Sequence, residues 1–274
     1  MADSSTSTRK AITIADIRSR RAALNRITML TCYDSSFAHL LDDCGVDILL
    51  VGDSLGMVLQ GHNSTLPVSV TDIAYHTACV ARGNRYAWIL ADMPFGSYQE
   101  SPAQAYRNAA TLMAAGAQMV KLEGGAWLAP TIAFLSERGI PVCAHLGLTP
   151  QTVHALGGYR VQGRDDDGAR QLLNDAKILE SAGADMVLFE LIPTPLAKRV
   201  TDALSVPTIG IGAGPHTTGQ VLVLHDILDI TPGRRPRFAK NFMEDSHSIR
   251  EAITRFVTEV KSGEYPGPEH GFAA

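Results

Sequence analysis

From Ile27 onward the chain alternates short apolar runs with longer stretches of helical periodicity, and this alternation constrains the fold most. RITMLTCYD reads as a first strand ending near Tyr33. DILLVGD, AWILADMP, MVKLEGG, IPVCAHLG, ADMVLFELIP and VPTIGIGAG supply six more. Between them lie helical segments: SSFAHLLDDCG stopped by Gly45, TDIAYHTACVARG with Thr71 as a candidate N-cap, and SPAQAYRNAATLMAAG. In the last, Ser101 caps, Pro102 takes the first helical position and Gly116 closes the helix. WLAPTIAFLSERG, GARQLLNDAKILESAG and TPLAKRVTDAL continue the pattern, and SHSIREAITRFVTEVKSG reads as a terminal helix. An eighth strand falls near Val221–His225, although the gap after Gly214 is too short for a full helix.

Strands separated by helices imply parallel pairing and right-handed crossovers, with both faces of the sheet covered. A closed barrel and an open doubly wound sheet both satisfy the pattern. No G-x-G-x-x-G follows the first strand, which disfavours dinucleotide binding. The length of 274 residues suits one α/β barrel of ~250 residues as well as two average domains. With no linker and no internal repeat, the reading is a short disordered tail over residues 1–10 and one domain over 11–274. The longest stretch without periodicity, LGLTPQTVHALGGYRVQGRDDDG, reads as a functional loop.

Composition narrows the function classes. The net charge is −4, with no basic stripe, so nucleic acid is not expected as a partner. No apolar run approaches the ~20 residues of a membrane span, and MADSSTSTRK lacks the apolar region of a secretory signal. Cys32, Cys44, Cys79 and Cys143 show no C-x-x-C pair and no zinc spacing. They read as reduced thiols of a cytoplasmic protein.

The informative feature is what ends each strand: Asp34, Asp53, Asp92, Lys121 with Glu123, His145, Glu190, and then the glycines of GIGAG. Singly, an Asp after a strand is often a turn former or a helix cap, and that is the reading for Asp34. Together, six ionisable groups at consecutive strand ends exceed what capping needs. In a parallel barrel they meet at one mouth. Several carboxylates without a His pair or Cys suit a hard cation such as magnesium, which keeps waters for substrate oxygens to displace. A bound keto acid activated in this way forms an enolate, and a separate carboxylate takes the proton. Glu190, after the apolar run MVLF, has the partly buried setting of such a base. Lys121 and Glu123 share a strand face at a spacing of two. His145 is a donor to an oxyanion or carboxylate, with Cys143 one layer deeper in the core.

VGDSLGMVLQGHNSTLPVSVTDIAYHT, ADMPFGSYQ, VKLEGG, AHLGLTPQ, GGYRVQGR, IGIGAGP and FAKNF, in this order, resemble the ketopantoate hydroxymethyltransferase family from about Ile12 to Phe272. The resemblance implies a (β/α)8 TIM barrel of the phosphoenolpyruvate/pyruvate-binding type. It implies transfer of a one-carbon unit from 5,10-methylenetetrahydrofolate to 3-methyl-2-oxobutanoate, giving 2-dehydropantoate for pantothenate biosynthesis. It also implies Mg2+ and a large homo-oligomer, commonly a decamer. Carried over by motif, Asp53 and Asp92 bind magnesium, and Glu123 joins the metal shell directly or through water. Asp53, Ser54, Asp92, Lys121 and His145 surround the keto acid, and Glu190 is the catalytic base. Arg160 and Arg164 are candidates for the glutamate tail of the folate. Asp165 stands where the family more often has an RGD-type turn, and Cys32 where Ala is commoner. The competing reading is a lyase of the same superfamily acting on a small 2-oxo acid, but its usual KKCGH-type loop is missing here.

Overall fold

The structure is a computed structural model and describes residues 9–23, 25–231 and 233–274. Eight parallel strands close into one barrel in chain order, with β8 returning to pair with β1. They are β1 (Ile27–Thr31), β2 (Ile48–Val51), β3 (Trp88–Asp92), β4 (Met119–Glu123), β5 (Val142–Gly147), β6 (Met186–Glu190), β7 (Thr208–Ile211) and β8 (Gly219–Leu222). The closed ring settles the choice left open between barrel and open sheet. β8 begins two residues earlier than expected. Gly219 opens it because a Cβ there would lie 2.4 Å from Ile27 O on the neighbouring strand. No helix separates β7 from β8, as the short spacing implied.

The helices are α1 (Ile14–Ala23), α2 (Ser35–Asp43), α3 (Leu55–Val58), α4 (Val70–Gly83), α5 (Pro102–Ala114), α6 (Ala129–Ser136), α7 (Asp166–Ser181), α8 (Thr194–Ala203), α9 (Leu224–Ile227) and α10 (Ile249–Ser262). Their starts are chemically marked. Asp34 caps α2 by accepting from the Ser36 and Phe37 amides at 2.8 and 2.9 Å, so it is a cap and not part of the site. Ser101 caps α5 as expected. The cap of α4 is Ser69, two residues before Thr71, because Ser69 and Asp72 form a reciprocal capping box. Asp165 caps α7 by accepting from Gly168 N at 2.7 Å, so its role is to start that helix.

The alternation beginning at Ile27 gave no sign of α1. It is a poorly apolar helix started by Thr13 and Asp16, and its arginines hold it in place. Arg18 binds Asp185 just before β6, with Nε at 3.1 Å. Arg20 binds Asp47 just before β2 at 2.8 Å. Each of these carboxylates also accepts the amide that opens a neighbouring strand: Thr28 N at 2.9 Å for Asp47 and Val142 N at 3.0 Å for Asp185. The N-terminal floor of the barrel is thus sewn by charge. Of the expected tail, residues 1–8 lie outside the described residues. Arg9 is tied to the body by its contacts with Asp42 and Val46 O.

Asp47 is buried and also pairs with Lys261 of α10 at 3.2 Å. Asp47→Ala strands two cations and two Thr28 donors, so it is expected to cost roughly 3–5 kcal/mol. Urea unfolding of the variant against the parent chain measures this.

Candidate active site

At the C-terminal mouth the register brings the strand-end groups side by side. Asp92 pairs with Lys121, Lys121 with Cys143, Glu123 with His145, and Gly147 with Glu190. Because side chains alternate across a strand, Lys121 and Glu123 both face inward, as do Cys143 and His145. Asp53 and Ser54 follow β2 at the turn into α3. Gly147 has φ +91°, and a Cβ there would lie 2.3 Å from Glu190 O, so glycine lets β5 end beside the catalytic candidate.

The centre is a buried charge cluster. Lys121 Nζ lies 3.2 Å from Asp92 Oδ1 and 3.1 Å from Glu123 Oε1. Burial disfavours its charge, but Asp92, Glu123 and Asp53 outweigh that and raise its pKa well above the usual lysine value. Burial would likewise raise Glu123. Lys121, His145 and the Gln151 amide overcome it and hold the carboxyl at about 2. Asp53 goes the other way: burial first, then the charges of Asp92 and Glu123, push its pKa well above the carboxylate range. Burial also raises Asp92, against the pull of Lys121 and the Asp53 amide, which donates to Asp92 Oδ2 at 2.9 Å.

His145 bridges the cluster to the candidate base. Nδ1 is 3.2 Å from Glu123 Oε1, and Nε2 is 3.4 Å from Glu190 Oε2. Burial and Lys121 oppose its protonation, but bonding to Glu123 and Glu190 wins, so its pKa is raised. The Glu190 side chain is 15% exposed, more open than its neighbours. Ser54 Oγ is 2.8 Å from Tyr33 Oη.

Sequence reasoning assigned no role to Gln151, Tyr98 and Tyr33. Gln151 Nε2 donates to Asp53 Oδ2 at 2.8 Å and to Met93 O at 2.9 Å, and its backbone amide donates to Glu123 Oε2 at 3.0 Å. Tyr98 Oη donates to Gln151 Oε1 at 2.7 Å and accepts from Glu123 N at 3.1 Å. Gln151 thus ties three strand ends together. Its signal was its place in AHLGLTPQ, directly after β5, where a buried amide is hard to tell from a loop residue.

A cavity of about 530 Å3 opens from the cluster and is lined by Asp53, Ser54, Asp92, Lys121, Glu123, His145 and Glu190. All seven residues expected at the site therefore meet in one space. Arg160 and Arg164 do not line it. The arginines at its rim are Arg234 and Arg237. Among the described residues none of the four cysteines reaches the cavity. Cys32 and Cys143 are core thiols pushed by burial to about 12.

A magnesium ion fits the chemistry of this end. Asp92 Oδ1 is buried with the Lys121 ammonium at 3.2 Å as its partner, and burial together with the charges of Asp92 and Glu123 pushes Asp53 toward holding a proton unless a cation sits beside it. Two carboxylates plus water are the usual protein share of a magnesium shell. Both oxygens of Glu123 are already engaged by Lys121, His145 and Gln151, which suits contact through water. Among the described residues no three His, Cys, Asp or Glu side chains are gathered tightly enough to enclose a cation unaided.

A closed parallel barrel with its ionisable side chains collected at the C-terminal mouth defines a TIM-barrel enzyme. The profile of the ketopantoate hydroxymethyltransferase family matches residues 11–268. Over 266 residues the chain is 60% identical to the 3-methyl-2-oxobutanoate hydroxymethyltransferase of Burkholderia multivorans, covering 97% of this chain and 98% of that one. Among solved structures, a putative phosphonomutase from Burkholderia cenocepacia matches with a TM-score of 0.64 at 16% identity, over 79% of this chain and 94% of that one. A 2,3-dimethylmalate lyase of the PEP mutase/isocitrate lyase superfamily matches with a TM-score of 0.52 at 13% identity, over 80% and 75%. These two likenesses show the fold. The chain belongs to the ketopantoate hydroxymethyltransferase family and is a transferase. Among the described residues no helix is long and apolar enough to cross a membrane.

Gln151→Ala strands the donors and acceptors around it, each at roughly 1–3 kcal/mol. The expected outcome is a lowered unfolding midpoint together with a raised KM for the keto acid, read by denaturant unfolding and steady-state kinetics.

Proposed function

We propose that the enzyme transfers the one-carbon unit of 5,10-methylenetetrahydrofolate to 3-methyl-2-oxobutanoate, giving 2-dehydropantoate and tetrahydrofolate with uptake of one water. The observation that carries this reading is the pairing, in one cavity, of a two-carboxylate end at Asp53 and Asp92 with a separate and more open carboxylate at Glu190. A 2-oxo acid with an acidic C3–H needs both: charge stabilisation at its oxygens and a base at its carbon.

Asp53 and Asp92 would hold magnesium, with Glu123 acting through water. When bound, the ion supplies Lewis-acid stabilisation of the keto acid's developing negative charge. Ser54 and the amides around it orient the substrate carboxylate. Lys121 keeps Asp92 and Glu123 in place and adds positive charge beneath the substrate. Glu190 takes the C3 proton onto a carboxylate oxygen, and His145, between Glu123 and Glu190, sets the direction of that carboxylate. Water first cleaves both C–N bonds of the methylene bridge, releasing tetrahydrofolate and formaldehyde, and the C3 carbanion equivalent then attacks the formaldehyde carbon, forming the new C–C bond and an alkoxide that takes up a proton. The hydroxyl oxygen of the product comes from water. Pantothenate biosynthesis, a cytoplasmic location and assembly into a homo-oligomer such as a decamer complete the reading. The partners are small molecules, without nucleic acid or membrane.

The lyase reading is less well supported, because no cysteine among the described residues reaches the cavity. Incubation with 3-methyl-2-oxobutanoate, methylenetetrahydrofolate and magnesium is expected to yield 2-dehydropantoate, and EDTA to stop it. Absence of product under all conditions discards the reading. Glu190→Gln is expected to slow C3 proton exchange in deuterium oxide by roughly 10²–10⁴-fold while the keto acid still binds. Asp53→Ala and Asp92→Ala are expected to weaken magnesium affinity, measured by calorimetry; unchanged affinity in both removes them as ligands.

A further inference from the structure

Much of the cavity lies beyond the groups just described. Its lining also includes the apolar side chains of Ile211, Val221, Leu222, Phe238 and Phe272. One carboxylate stands in this apolar lining. It is Asp226 of α9, only 5% exposed. Thr231 Oγ1 donates to its Oδ1 at 2.6 Å, and Oδ2 has no hydrogen-bond donor among the described residues. The nearby cation, Arg235, is engaged elsewhere by Asp229 and Ala239 O. Burial raises the Asp226 carboxyl above its usual range, with Thr231 and Arg235 acting against the shift. The chemistry at Asp53, Asp92 and Glu190 makes no use of Asp226.

A carboxylate with an unused oxygen in an apolar slot selects a flat ligand bearing adjacent N–H donors on one edge. The 2-amino-4-oxopyrimidine ring of a reduced pterin presents such an edge: a ring N–H beside an exocyclic amine, matched to two carboxylate oxygens. Its flat faces suit the apolar walls, and the exposed Arg234 and Arg237 at the rim suit the carboxylates of a glutamate tail. We propose that the apolar part of this cavity holds the pterin ring and that Asp226 reads the 2-amino-4-oxo edge of the folate donor. The inference rests on the folate reading given under Proposed function.

The test uses the full chain with keto acid and magnesium present. Equilibrium binding is measured for tetrahydrofolate and for its 2-desamino-2-methyl analogue, on the parent chain and on Asp226→Asn. The parent is expected to bind the analogue on the order of 10- to 100-fold more weakly than tetrahydrofolate. Asp226→Asn is expected to lose a similar factor for tetrahydrofolate and to stop distinguishing the two. Its KM for methylenetetrahydrofolate should rise while its KM for keto acid holds. Equal binding of both folates by the parent overturns the proposal whether or not the variant folds, and so does a variant that still discriminates. Failure of the parent to bind tetrahydrofolate at all overturns the donor reading along with it.

Discussion

The buried Lys121 ammonium is the condition on which the rest of the mouth depends. Three buried carboxylates repel one another and would take up protons. Lys121 touches two of them and lies close enough to the third to influence it. It reaches that place because β4 carries Lys121 and Glu123 two residues apart, and because the register sets Asp92 and Cys143 beside it. Small, apolar Cys143 below the cluster leaves the lysine no competing partner on that side. Glu123 is thereby fixed as an anion, whereas Asp53 and Asp92 stay electrostatically under-compensated. The same strand pairing thus produces one settled carboxylate and two that favour a cation.

The two ends of the barrel use acidic residues for different ends. At the floor, Asp47 and Asp185 each accept a strand-opening amide and an arginine, so their capacity is spent on holding the ring closed. At the mouth, Asp92 Oδ1 meets only the Lys121 ammonium and Glu190 keeps some access to the cavity. What separates Asp92 and Glu190 from the floor carboxylates is that each keeps room for a further partner on the cavity side.

Much of this was legible in the sequence for a physical reason. Parallel strands covered on both faces are short and apolar throughout, so a charged residue at a strand end stands out, and Asp53, Asp92, Lys121, Glu123, His145 and Glu190 all did. Asp34 resembled them, but the Ser-Ser-Phe that follows marked it as a cap. Three things escaped. α1 buries Ile17 but is otherwise held by arginines, so it carries little periodic signal. Gln151 acts through an uncharged amide in a loop whose course the sequence does not reveal. The rim cations are Arg234 and Arg237 rather than Arg160 and Arg164, because which loop folds over the mouth is decided by long-range contacts such as Tyr265 Oη donating to Phe238 O at 2.6 Å.

The arginines of α1 also have a mechanical meaning. An eight-stranded hoop deforms most easily by becoming oval, which lengthens one diameter and shortens the other. Arg20 grips the ring where β1 meets β2, and Arg18 grips it where β5 meets β6, on the opposite side. The helix is therefore a diagonal strut. The diameter it fixes runs between β2 and β6, whose far ends carry Asp53 and Glu190. A helix that touches no part of the mouth thus helps to set the gap between the group that would steady the substrate's oxygens and the group that would take its proton.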